Sequence, residues 1–182
     1  MARYAVEYME AAIAVMEKRT KSDHEIIASI PAMFLIGQAV ELALKAYLLQ
    51  MGVSLEGIRK KYGHQLHLSL RKAKELDLLS HVEITPEEQQ ALELLDGLYA
   101  SKRLQYIVTG VATFPRFIVL KNVALKLIHA IGRSVGFIPR TLPKVSSTGS
   151  MPFSVELDII GSGGLAHCIL EGPAPADCLV NA

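Results

Sequence analysis

Arg59 and His64 bracket the run Arg-Lys-Lys-Tyr-Gly-His, and their residue types suit one kind of chemistry. A histidine titrates near neutrality, so it can take or give a proton under ordinary conditions. An arginine presents a planar fork that grips two phosphate oxygens at once. RNA can be cleaved without a metal when a base takes the 2′-hydroxyl proton and a cation steadies the phosphorane. Lys60 and Lys61 would hold flanking phosphates, and Tyr62 would stack on a base. A plainer alternative stays open, in which His64 caps the helix that follows it or bonds a neighbouring backbone group, and residues 59–61 are solvated.

The elements that must position this segment are legible as helices. Ala5, Met9, Ala12 and Met16 recur at helical spacing and put one apolar face on residues 4–19. Ser22 and Asp23 are cap-type residues for a second helix over 24–51, with a kink or a fresh start at Pro31. Residues 32–49 are apolar nearly all round, which marks a central helix. Gln38, Glu41 and Lys45 form its polar stripe, and Glu41 precedes Lys45 in the favourable i, i+4 order. Ser54 opens a short turn of helix and Gly63 closes it, so the turn carries Arg59. A third helix spans 65–78. A fourth has the clearest start in the chain: Thr85 as cap, Pro86 in the first position and Glu88 completing a capping box. It is expected to run to about Arg103 or beyond, before Gly110. A fifth spans 115–133.

The expected fold class is therefore all-α: an up-and-down bundle of about five helices over residues 1–139. Residues 140–182 are different in kind. A linker leads to Phe153, Val155, Leu157 and Ile159, which alternate with polar residues as in a strand. A second apolar run, 165–170, follows a glycine-rich loop. A small hairpin or a disordered tail is expected. An isolated hairpin is marginally stable, so it must pack on the bundle or stay mobile.

Charge and cysteine usage narrow the function. The formal net charge of +1 argues for no partner by itself. Its distribution says more. Residues 59–74 hold six Lys or Arg and no acid, whereas residues 83–96 hold five acids and no base. A basic patch facing away from an acidic helix is one reading, and ordinary solvated helix faces are the other. Cys168 and Cys178 make no disulfide framework, and no metal-ligand spacing occurs, so no metal or cofactor is expected. Glu7, Glu10 and Glu17 interrupt the N-terminal apolar pattern, which excludes a signal peptide. Gln38, Glu41 and Lys45 interrupt the most apolar stretch, which reads as a core helix and not a membrane span. A cytoplasmic protein with no membrane partner is expected.

Three places in order carry a resemblance. They are Glu-Leu-Ala-Leu-Lys-Ala-Tyr-Leu-Leu from Glu41, Tyr62-Gly63-His64-Gln65-Leu66, and Leu98-Tyr99 followed by Lys102-Arg103-Leu104-Gln105-Tyr106. Together they resemble the HEPN domain family of prokaryotic toxin–antitoxin and defence proteins, over about residues 4 to 133. The resemblance implies a helical domain that often forms a homodimer. It also implies metal-independent ribonuclease activity in many members, from an Arg followed after four to six residues by a His. Arg59 and His64 meet that spacing, with Lys60 where a small polar residue is usual. Lys102, Arg103 and Tyr106 are the corresponding candidates for RNA or phosphate contacts, although Arg103 has no His at that spacing after it. Other members of the family act as binding or assembly modules. A cognate antitoxin or a nucleotidyltransferase-type protein is the partner the resemblance suggests.

Overall fold

The computed structural model describes residues 1–20, 29–106, 110–138, 140–143, 155–159 and 167–170. Helix α1 (Ala2–Thr20) lays Ala5, Met9 and Ala12 against α2 (Ile30–Gln50). These three positions are fully buried because they share one stripe of the helix.

Helix α2 is the centre of the molecule and touches every long helix: α1, α4, α5 and α6. Its buried side chains run round most of its circumference, from Met33 and Ile36 to Tyr47 and Leu48. By length and composition alone α2 could cross a bilayer, but most of it is buried inside the fold. The expected helix over 24–51 begins later than its spacing suggested. Pro31 sits in the first turn, where its missing N–H has no intrahelical partner to lose, so it starts the helix and does not kink it. Residues 21–28, with the expected caps Ser22 and Asp23, lie outside the described residues.

The connection to the next long helix is compact. Ser54 Oγ accepts from Gly57 N–H at 3.1 Å and starts α3 (Leu55–Gly57). The chain then widens into a π-helical turn over Ile58–Tyr62, closed by Gly63 N–H donating to the Ile58 carbonyl at 3.2 Å. Gly63 has φ +49°, a conformation that side chains rarely adopt, and it turns the chain into α4 (Leu66–Glu75). Asp77 ends that region in the left-handed conformation, and a 3₁₀ turn, Leu78–Ser80, follows.

Helix α5 (Pro86–Ala100) starts as its sequence predicts. Thr85 N–H donates to Glu88 Oε2 at 2.9 Å and Glu88 N–H to Thr85 Oγ1 at 3.2 Å. It ends sooner than expected, before Arg103. The Ser101 hydroxyl donates to the Gly97 carbonyl at 2.6 Å, Lys102 turns left-handed, and Arg103 N–H reaches back to the Leu98 carbonyl at 3.0 Å. This left-handed closure satisfies the last carbonyls and stops the helix.

A short strand, β1 (Gly110–Phe114), follows where no strand was expected, and then α6 (Phe117–Ser134). The expected hairpin is present as β2 (Val155–Ile159) and β3 (His167–Leu170), with Val155 opposite Leu170. It is not isolated. The three strands form an antiparallel sheet in the order β1-β2-β3, with Gly110 opposite Ile159 and Phe114 opposite Val155. Ala112 and Phe114 of β1 are buried in the helical core, so β1 ties the hairpin to the bundle.

Candidate functional site

Helix α2 carries one acid into the core, Glu41, which is 4% exposed. A buried carboxylate must be matched by donors or it becomes very costly. Three side chains supply them. Lys45, one turn on, donates from Nζ to Oε1 at 2.6 Å. The Tyr99 hydroxyl of α5 donates to Oε2 at 2.7 Å. His64 Nδ1 lies 3.0 Å from the same Oε2.

These contacts decide the charge of the site. Burial pushes the Glu41 carboxyl up, but the hydrogen bonds from Lys45, Tyr99 and His64 outweigh it and hold the group below its ordinary value. Glu41 is therefore an anion near neutrality. The Tyr99 phenol is pushed far above its ordinary range by burial and then by its bond to Glu41, so it is a permanent donor.

Tyr99 reaches Glu41 because α2 lacks a side chain at Gly37. A Cβ built there would stand 2.6 Å from the Tyr99 ring. The ring thus lies against the helix backbone one turn before Glu41, with Phe34 beside it at 5.9 Å between centroids.

His64 leaves the Gly63 turn with its ring edge-on to Tyr99, centroids 6.4 Å apart. Its side chain is 75% exposed although its partner carboxylate is buried. An ionised carboxylate at Nδ1 selects the tautomer with the proton on Nδ1. The lone pair of the neutral ring then sits on Nε2, away from Glu41. This is the arrangement of an oriented general base.

His64 does not cap α4. That role falls to Asp96 of α5, whose Oδ1 accepts from Leu66 N–H at 2.7 Å and His67 N–H at 3.2 Å. Its Oδ2 lies 2.6 Å from His67 Nδ1. Beside His67 opens a groove of about 280 Å³, floored by Val40, Leu44 and Leu70 and rimmed by Arg71 and Lys74.

The other sequence candidates divide. Arg59 is exposed on the π-helical turn, and no hydrogen bond joins it to His64. Lys60 pairs with Glu56 at 2.5 Å on the surface. Lys61 is exposed, with its ammonium 5.8 Å from the centre of the Tyr62 ring. Tyr62 itself is only 5% exposed and belongs to the core, so the expected stacking on a base is corrected. Like Ile58 four residues earlier, its ring is buried in the helical core. Lys102 and Tyr106 are exposed beyond the end of α5, Tyr106 at 64%, and Arg103 is half-buried.

The acidic run is not a uniform solvated face. Glu88 and Asp96 are buried, Glu88 against Lys126 at 2.7 Å. Among the described residues no three His, Cys, Asp or Glu side chains converge as a metal would require.

Sequence reasoning missed Asp96, His67 and Gly37. Asp96 and Tyr99 are three apart on α5 and so share a helix face, which is the one signal that pointed to them. Comparison with protein-family models, curated proteins and solved structures finds no match to this chain.

Proposed function

We propose that this chain is a HEPN-type protein that cleaves RNA without a metal ion, with His64 as the base. The observation that carries the reading is the Glu41–His64 pair. A buried anion fixes one ring nitrogen and leaves the other directed to solvent, which is how a histidine is prepared to take a 2′-hydroxyl proton. Exposed Arg59 supplies a phosphate grip on the preceding turn, with Lys60, Lys61, Lys102, Arg103 and Tyr106 as flanking contacts. In this reading the protein is a cytoplasmic homodimer of a toxin–antitoxin or defence system, held in check by an antitoxin or a nucleotidyltransferase-type partner.

The test uses the full chain, single-stranded RNA and EDTA. Products with 2′,3′-cyclic phosphate and 5′-hydroxyl ends are expected. His64→Ala should lower the rate by about 10²- to 10⁴-fold, the usual range for a general base. An unchanged rate in that variant overturns the reading.

A second reading is a non-catalytic helical dimer that binds a partner protein or nucleotide. The burial of Tyr62 favours it, because that ring serves the fold. Sedimentation would then show a dimer, and RNA would survive incubation unchanged. A strict monomer would remove it.

A further inference from the structure

Cleavage of a phosphodiester through its 2′-hydroxyl needs two proton transfers, and His64 accounts for one of them. We propose that His67 is the second catalytic residue, the general acid that protonates the leaving oxygen. This rests on the ribonuclease reading above.

His67 repeats the geometry of His64. Its Nδ1 is held at 2.6 Å by the carboxylate of Asp96, whose side chain is 13% exposed, while its own side chain is 51% exposed. Nε2 therefore points away from the carboxylate in either protonation state. Capping of α4 does not account for the ring. The cap is made by the backbone N–H groups of Leu66 and His67 on Oδ1, and any residue at position 67 would supply its share of it.

The two carboxylates also belong to one seam. Asp96 lies three residues before Tyr99 on α5, and Tyr99 bonds Glu41 across the seam on α2. Three residues of helix rise roughly 4.5 Å. Asp96, the anchor of His67, thus sits just under one helical turn along α5 from Tyr99, the residue that bonds the anchor of His64, and the two histidines leave the chain three residues apart on either side of the start of α4. Arg71, four residues after His67 on α4, lines the same groove as His67 and puts a cation on that side.

The step balances with both groups. The 2′-oxygen forms its bond to phosphorus as its proton passes to His64 Nε2. The bond from phosphorus to the 5′-oxygen breaks, and that oxygen takes the proton from Nε2 of protonated His67. The products are a 2′,3′-cyclic phosphate and a 5′-hydroxyl. Exchange with water returns one proton to His67 and removes one from His64.

A leaving-group comparison tests the assignment. The two substrates are the dinucleotide uridylyl-adenosine and the p-nitrophenyl ester of uridine 3′-phosphate, each with the full chain. Nitrophenolate leaves without protonation, whereas a nucleoside alkoxide does not. His67→Gln should lower cleavage of the dinucleotide by about 10²- to 10⁴-fold and leave the ester within about threefold, since only the acid step is lost. Retained ester cleavage also reports that the variant is folded. His64→Gln should lower both. Equal losses on both substrates in His67→Gln and in His67→Asn overturn the proposal, as does wild-type behaviour on both. In either case a wild-type chain that cleaves RNA leaves the ribonuclease reading intact. Wild-type inactivity on both substrates removes the two together.

Discussion

His64 Nδ1 stands 3.0 Å from Oε2 of Glu41, a residue 23 positions earlier in the chain. The contact joins an exposed ring to a buried anion, and the anion is sustained by two further donors, Lys45 and Tyr99. Orientation of His64 and stability of the α2–α5 seam therefore depend on the same carboxylate.

Replacing that carboxylate should cost stability and change its pH dependence. Glu41→Gln leaves the largely buried Lys45 ammonium without its anion, a loss of about 3 kcal/mol. Because the Glu41 carboxyl is held below its ordinary value of 4.5, its contribution is complete above that value. It is lost as pH falls through the lower folded-state value. Urea unfolding from about pH 7 down to about pH 2 should show a shallower acid decline in Glu41→Gln than in the wild type. Parallel curves would contradict this.

Gly37→Ala should destabilise the protein although alanine is the better helix former by about 1 kcal/mol. The added Cβ would stand 2.6 Å from the Tyr99 ring and would have to move it off Glu41. A net loss of about 1 to 3 kcal/mol is expected from such overpacking, read as a lower thermal midpoint. Tyr99→Phe keeps the ring and removes only the bond to the anion, and should cost about 1.5 to 3 kcal/mol. A stabilised Gly37→Ala variant would show that the ring has room to shift.

Neighbouring residues of the Arg59–His64 segment should behave in opposite ways. Tyr62→Ala removes a buried ring and should cost about 3 kcal/mol or more in the urea midpoint. Lys60→Ala breaks an exposed pair with Glu56 and should fall within about 0.5 kcal/mol of the wild type. Equal effects would place Tyr62 at the surface after all.

Local chemistry made much of the fold legible. Thr85, Pro86 and Glu88 lie within four residues, so the start of α5 could be read without knowing its neighbours. The apolar stripe of α1 and the all-round apolar character of α2 were equally local. Strand β1 was not legible. Residues 110–114 carry no strong alternation, and their partner Val155–Ile159 lies some 40 residues on. Tyr62 was misjudged although its spacing held a signal: it stands four residues after Ile58, residues four apart share a helix face, and both are buried in the core.

By itself, then, the sequence determined the main helices, their central member, and an Arg59–His64 spacing suited to phosphate chemistry. Helix signals act over three or four residues, and one chain segment contains them. The tertiary structure alone decided what His64 touches. Its anchor comes from α2, and the tyrosine beside it is 58 positions from that anchor, on α5. Packing of the helices chose those partners, because a buried anion must collect its donors from whichever elements close around it. The same closure set Asp96 against His67, a pair that no local spacing announced.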